Sequence, residues 1–395
     1  MHIMSSKINI TIINMAVTVS LLLLLSIVAG CEREVQIQPS GNVIRLGVIG
    51  PLTGENKAKG IDGAKGIKAA MKMAPLLDNG DKIELVIEDD QNQPALTVSA
   101  LRKLADEEKV SAILLMSSSA SALELRKLAD EIKIPVLAML ATHPDVTLDN
   151  SYISQLCSDD NSQASVAALF VMDELLLERA AVFTNPDSQH STALAAEFIR
   201  KFQSVGGVVT DTVLLGEGNG YIEKLQELRD KSTDLLYLPV KAREIIAIEK
   251  ASREIGWNPE IMASDGLLAT VINDYSEEVP LLDGIYAIDF FASDDEGLHK
   301  SPQFKKIGKI YRSLYKDRGT SYTALGVEAY LVIHNAMNRC EMSDDRLCIN
   351  TMLRNTKNFD ALVGKISILE NGKANRPLVV NTIHEDTSKF VVKVY

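Results

Sequence analysis

Basic residues are in deficit: 41 lysines and arginines stand against 53 aspartates and glutamates, for a net charge of −12 over 395 residues. That balance disfavours a nucleic acid or an anionic lipid surface as a partner, and the interspersed signs read as an ordinary solvated surface. The six histidines are scattered. A zinc site needs histidines or cysteines at short spacings, so no metal is expected. There is no Gly-x-Ser-x-Gly, no Walker loop and no Gly-x-Gly-x-x-Gly after the first β-rich run. Their absence removes the common routes to an activated nucleophile, a phosphate cradle or a bound dinucleotide. Asp89-Asp90 imitates a catalytic carboxylate pair, but neighbours at a strand end point apart. No enzyme activity and no cofactor is expected. Past residue 28 no second long apolar run occurs, and there is neither an internal repeat nor a low-complexity segment.

The long apolar run that is present lies at the start. Lys7 precedes it, Ile10 to Val28 is almost wholly apolar, and Val28-Ala29-Gly30-Cys31 closes it. A short apolar stretch followed by small residues reads as a signal peptide. The cysteine in that place resembles the bacterial lipobox, which implies a diacylglycerol on the Cys31 sulfur, cleavage before it and acylation of the new amine. A plain transmembrane anchor with an incidental cysteine is the competing reading. Several acyl chains would hold stably to a membrane. Residues 1–30 are thus expected as signal and 31–42 as tether. The body would be extracytoplasmic and lipid-anchored, in the periplasm or on the outer cell surface.

Three cysteines remain. Export permits disulfides. Cys340 and Cys348 flank the polar segment Glu341 to Arg346, and a bridge closing that loop is preferred over a pair of reduced, half-buried thiols. Cys157 has no evident partner and is expected in the core.

The body suits two domains of ordinary size. Short β-rich runs alternate with amphipathic stretches, the pattern of parallel sheets with covered faces. Strands are expected at Val43 to Ile49, Ile83 to Glu88, Val110 to Met116 and Pro135 to Ala138. Helices are expected at Gly63 to Met73, from Pro94 through Ala105, and at Ala120 to Glu131. A second series follows Cys157, with helices at Asn161 to Leu177, Leu194 to Val205, Tyr221 to Lys231 and Arg243 to Ile255. Its strands fall at Ala180 to Phe183, Val208 to Leu214, Leu235 to Leu238 and Ile261 to Ala263. Gly206-Gly207 stops the helix before it. Trp257, in a turn after a helix, is expected to pack that turn. The last hundred residues depart from the pattern: helices at Gln303 to Lys316, Ser321 to Asn338 and Arg346 to Asn355, then antiparallel ribbons from Gly364 to Tyr395.

The order of these elements and several strings resemble the leucine/isoleucine/valine-binding proteins, type I periplasmic receptors of branched-chain amino-acid ABC transporters. The strings include Leu46 to Gly54, Gly63-Ala64, Glu88-Asp89-Asp90, Ser117-Ser118-Ser119, Ala141 to Asp145, Asn185 to Phe198, Asp234 to Tyr237, Ser264-Asp265-Gly266 and Glu328-Ala329-Tyr330. The resemblance covers nearly all of residues 43–395. It implies an α/β fold of two Rossmann-like lobes joined by three crossovers, closing on a ligand. Lobe one would hold 43–155 and 288–377, and lobe two 156–287 and 378–395. The implied partners are a small ligand, an amino acid or related molecule, and an ABC permease. A ligand sensor or envelope scaffold on the same fold is the alternative, since fold does not fix function.

Ligands of open α/β sheets sit at strand carboxyl ends beside helix N-termini. Ser117 and Ser118 end the third strand and open a helix, which suits a ligand carboxylate; N-capping alone would also explain them. Thr142 could add a hydroxyl and Ala141 a backbone group. Asp265 stands where the resemblance places the acceptor of a ligand ammonium, a charge-assisted bond, although Asp-Gly is also a turn signal. Two residues depart from the family pattern. His190 replaces the usual tyrosine, with Ser191 for a glycine. Lys241 replaces an aromatic or small residue and could reach the ligand, neutralise Asp265, or sit solvated at the rim. The stretch Glu55 to Asp62 is more charged than a pocket for apolar side chains suggests.

Overall fold

The computed structural model describes residues 37–394, apart from Glu55, residues 217–219 and Arg318. The segment expected as a signal peptide and Cys31 lie outside the described residues, and no described helix is long and apolar enough to cross a membrane.

Two sheets organise the chain. The first has β1 (Val43–Gly50), β2 (Lys82–Asp89), β3 (Ala112–Leu115), β4 (Val136–Ala138) and β5 (Ile153–Gln155), in the order β2-β1-β3-β4-β5. All four pairings are parallel. Parallel strands require crossover helices on the sheet faces, and such strands read as continuous apolar runs because both faces are covered. Leu46, Val48, Ile49 and Ile113 to Leu115 are accordingly sealed. The helices here are α1 (Lys57–Met73), α2 (Pro94–Arg102) and α3 (Ser119–Ile132).

In the second sheet the parallel strands are β6 (Arg179–Thr184), β7 (Val208–Leu214), β8 (Leu235–Leu238), β9 (Glu260–Ala263) and β10 (Tyr286–Asp289). Helices α4 (Asp160–Asp173), α5 (Gln189–Ser204), α6 (Tyr221–Asp230), α7 (Ala242–Glu254) and α8 (Leu267–Asp274) belong to this half. Short α9 (Glu296–Lys300), then α10 (Pro302–Tyr315), α11 (Ser321–Asn338) and α12 (Arg346–Arg354) follow, with a small antiparallel sheet of β11 (Phe359–Asp360), β12 (Lys365–Ile368) and β13 (Ala374–Asn375). The last hairpin, β14 (Leu378–His384) and β15 (Thr387–Val394), extends the second sheet, in the order β15-β14-β10-β9-β8-β6-β7. The chain therefore passes between the sheets three times: after β5, after β10 and before β14. The result is the α/β fold of two Rossmann-like lobes expected from the sequence.

Two places tie the late helices and the crossovers together. Helix α11 is buried almost all round, as a helix without a polar face must be, and it meets α1 at glycines. A Cβ on Gly326 would come 2.2 Å from the Gly63 carbonyl oxygen, and one on Gly66 2.1 Å from that of Thr323, so the backbones touch. At the crossovers Arg376 Nη1 stands 2.8 Å from Glu328 Oε2, both side chains fully buried. The Arg376 guanidinium also lies over the Phe290 ring and donates to the Phe290 carbonyl at 3.3 Å.

The sequence reading placed most elements within a few residues but assigned nothing to 267–301. That stretch holds α8, β10, α9 and a tight 3-10 segment, Ser276–Leu282, containing Pro280. The tail ribbon divides between two sheets, turning between β14 and β15 with Glu385 and Asp386 both at positive φ. Cys340 and Cys348 form a disulfide with Cα atoms 5.9 Å apart, and Cys157 is a buried free thiol. Trp257 packs against the core beside α7, its carbonyl accepting from Ser252 Oγ at 2.6 Å.

Candidate functional site

The carboxyl ends of β3 and β4 supply the first side of the site. Ser117 is buried, and its hydroxyl donates to Asp90. Asp90, sealed within the lobe, also accepts from Thr97 Oγ1 at 2.6 Å and from the Asn92 N–H at 2.9 Å. A buried carboxylate is costly unless donors surround it, so the Ser117 hydroxyl serves Asp90 rather than the ligand group that the sequence reading assigned to it. Neighbouring Asp89 faces another way, capping the turn at Leu52 and Thr53 through a 2.6 Å bond from Thr53 Oγ1. The two carboxylates thus address separate loops.

Ser118 is the N-cap residue of α3, half-buried, and its side chain makes no capping bond. Its backbone N–H donates to Asn92 Oδ1 at 2.8 Å. Ser119 Oγ accepts from the N–H groups of Thr142 and His143, each at 3.2 Å, which pins the loop after β4 to the start of α3. In that loop the Ala141 carbonyl is occupied by Gln155 Nε2 at 2.8 Å. The Thr142 carbonyl accepts from the Asp160 N–H at 2.8 Å, and Thr142 Oγ1 lies 3.3 Å from His190 Nδ1.

His190 comes from the other lobe. Ser188 caps α5 by accepting from the Ser191 N–H at 3.2 Å, which sets His190 in the first helical turn. Its Nδ1 is 3.1 Å from Asp160 Oδ1, and its Nε2 is 3.5 Å from Asp265 Oδ1. Asp160 is fully buried and opens α4, where the helix dipole favours a carboxylate. Burial opposes charge on the imidazole, but Asp160 and Asp265 outweigh it and raise the His190 pKa to about 9. At neutral pH both ring nitrogens therefore carry protons.

Asp265 follows β9, and burial raises its carboxyl while His190 and Lys59 pull it back down. Its Oδ1 has no hydrogen-bond partner among the described residues, so the 3.5 Å approach of His190 is a contact of charges. Gly266 next to it has φ +76°, and a Cβ there would meet Tyr322 Oη at 2.4 Å. Only glycine fits that conformation and that gap. The Tyr322 hydroxyl, from α11, donates to the Gly266 carbonyl at 3.4 Å. Lys59, from α1, holds its Nζ 5.5 Å from the centre of the Tyr322 ring. The Tyr322 phenol and then Asp265 raise the Lys59 pKa against its burial. Nearby Asp289, at the end of β10, is pushed by burial to about 7.

Of the residues expected from the sequence, Thr142, His190 and Asp265 lie at this convergence, and Ser118 stands at the start of α3 next to Ser119, which holds the Thr142 loop. Ala141 contributes a carbonyl already in use. Lys241 is exposed at the start of α7, and the lysine facing Asp265 is Lys59. Asp160, Lys59 and Tyr322 were missed. Asp160 had a signal, an Asp-Asp-Asn run before a helix where the chain changes lobe. Lys59 sat inside the charged stretch already noted. Tyr322 lies far away in sequence and had none.

Two acids and two cations thus meet where the lobes touch, in a form suited to gripping a polar small molecule. Two surface grooves of about 400 and 630 Å³, one beside Arg45 and Glu108 and the other beside Arg339 and Lys357, lie elsewhere.

Residues 43–388 match the model of the family described as periplasmic binding protein. The chain is similar to the Leu/Ile/Val-binding protein BraC3 of Rhizobium johnstonii, 24% identical over 83% of this chain and 88% of that one. It is similar in structure to the leucine binding protein LivK of Thermotoga maritima, with TM-score 0.78 and 29% identity over 89% of this chain and 98% of that one. A solute binding protein of an ABC transporter from Rhodopseudomonas palustris, solved with 3,4-dihydroxy benzoic acid, shares the fold at TM-score 0.72 and 18% identity, covering 89% and 96%. The chain belongs to the type I periplasmic binding proteins, extracytoplasmic solute receptors.

Proposed function

We propose that this protein captures a small organic ligand between its lobes and presents it to an ABC permease, from a lipid anchor on Cys31. One observation carries the reading: charged groups of opposite lobes converge at strand carboxyl ends. Lys59 and Tyr322 approach Asp265 and Gly266 from across the crossovers, and Thr142 approaches His190. A molecule bridging those groups would bind the closed arrangement better than the open one, and that difference is what shifts a hinge equilibrium. Tethering would keep the receptor concentrated beside its permease. Ser118 and the start of α3 would take a carboxylate, with Thr142, His190, Lys59 and Asp265 reading the rest. The lobes would divide as 43–155 with 288–377, and 156–287 with 378–395.

A thermal-shift screen of the chain from Glu32 onward, against amino acids, small amides, aromatic acids and short peptides, tests this. A ligand at a hundredfold excess over its dissociation constant stabilises the native state by about 2.7 kcal/mol. A binder whose effect disappears in Asp265→Ala supports the receptor; a panel without binders favours the sensor or scaffold use of the fold. Metabolic labelling with palmitate tests the anchor, and label should be lost in Cys31→Ala.

A further inference from the structure

From the way Tyr322 meets Gly266 we infer that this pair is the latch of the hinge. The Tyr322 hydroxyl seats on the bare Cα of Gly266 as the lobes close, and a side chain at 266 would keep it out. The inference rests on the receptor reading and supplies positioning residues for its closing step.

The two residues belong to opposite lobes. Tyr322 stands in the first turn of α11, which packs backbone to backbone on α1 beside the first sheet. Gly266 follows β9 of the second sheet and is the N-cap residue of α8. Apart from its chain neighbours and its own helix, a Cβ built on Gly266 would meet two described heavy atoms within 4 Å. They are Tyr322 Oη at 2.4 Å and Tyr322 Cζ at 3.6 Å. Within its own lobe the position is open, and the crowding comes from across the cleft. Gly60 differs, since a Cβ there would come 2.0 Å from the Pro51 carbonyl oxygen of the same lobe.

The contact can be made and broken cheaply. The Gly266 carbonyl accepts from Tyr322 Oη at 3.4 Å, but also from Thr270 Oγ1 at 2.8 Å and the Thr270 N–H at 3.1 Å, both inside the second lobe. Opening therefore leaves no buried acceptor unpaired, a loss that would otherwise hold the lobes shut. Tyr322 itself is firmly placed, 6% exposed, with Lys59 Nζ 5.5 Å from its ring centre. A close-packed ring has little room to swing aside, so an added Cβ pushes the lobes apart.

Nitroxides on Lys127→Cys in α3 and Asp230→Cys in α6, whose side chains are 90% and 80% exposed, would report the lobe separation by double electron–electron resonance. The chain from Glu32 onward is first stripped of carried solute by dialysis through guanidinium and refolded. Wild type should populate a short separation, and Gly266→Ala should lose it. Tyr322→Phe alone should cut the closed-to-open ratio about threefold, as the loss of one long hydrogen bond does. In Gly266→Ala the same Tyr322→Phe change should act the other way and restore the short separation. It removes the atom at 2.4 Å and leaves the one at 3.6 Å in ordinary contact. Backbone strain at φ +76° is the same with either ring, so strain alone cannot produce that reversal. Melting temperatures check that each variant folds. Tyr322→Phe acting alike in both backgrounds, or a wild type without the short separation until a solute is added, overturns the latch and leaves the receptor standing. One separation shared by every variant, and unmoved by any solute of the thermal-shift panel, would mean that the lobes do not hinge, and the receptor reading falls with the latch.

Discussion

Two clusters of buried charge lie near the crossovers, and they differ in access and in stoichiometry. Arg376 and Glu328 form one acid with one base, both fully buried, with the Glu328 carboxylate also accepting from the Val363 N–H at 3.1 Å. The cleft cluster has two acids and two bases on separate lobes, and the His190 side chain is 35% exposed. A sealed pair has only itself to answer to, so it holds the crossovers in place whatever the solution contains. An open cluster can exchange one of its partners for a solute, which is what a receptor needs.

The largest effect should come from breaking the sealed pair. Glu328→Ala leaves a buried guanidinium uncompensated and should cost about 3–5 kcal/mol in urea unfolding. Glu328→Leu combined with Arg376→Met should recover most of that loss, because the apolar pair has no desolvation to offset. If the single variant is as stable as wild type, the contrast between the clusters collapses.

In the cleft the effect should be one of pH rather than of fold. The folded His190 value near 9 lies above the 6.5 of the unfolded chain, so its stabilisation is complete below pH 6.5 and disappears as pH rises through 9. The melting temperature of His190→Gln should fall below wild type at pH 6, and the gap should close by pH 10. A gap of constant size would mean that His190 acts by packing alone. Asp160→Asn sharpens the point: the His190 titration, followed by NMR, should move down from about 9 toward the ordinary imidazole range.

Smaller still should be the tie between Lys373 Nζ and Asp159 Oδ2, 2.7 Å apart at the first crossover. Burial opposes the Asp159 charge, but Lys373 and Ser162 hold its carboxyl below the usual value. This contribution is present at neutral pH and lost as pH falls through the depressed value. Lys373→Met should cost about 0.5–1 kcal/mol, which equilibrium unfolding would resolve. The exposed pair of Arg45 and Glu108, 3.3 Å apart, sets the lower end: Arg45→Ala should change stability by under ~0.5 kcal/mol.

Legibility in the sequence followed the range of the forces involved. Local signals were read well. Pro94 opens α2, Gly206 lies at positive φ where α5 ends, and the apolar runs of β1 and β3 are sealed strands. His190 and Asp265 stood out because each sits in a local string with a known neighbour pattern. Ser117 was misread because its hydroxyl looks identical in sequence whether it meets a ligand or a buried acid. The partner that decides, Asp90, is 27 residues away. The stretch 267–301 failed for a related reason: its short elements are held by packing against the sheet and not by their own periodicity.

The alternation of strands and helices up to Ala263, and with it the α/β class, was legible in the sequence alone, because apolar period and turn chemistry act over a few residues at a time. Tertiary structure alone decided which charges meet. Lys59, Asp160, His190, Asp265 and Tyr322 are scattered along the chain, and become neighbours only when the three crossovers bring the two lobes together. Coulomb energy falls with distance in space, and no local pattern in a chain records that distance.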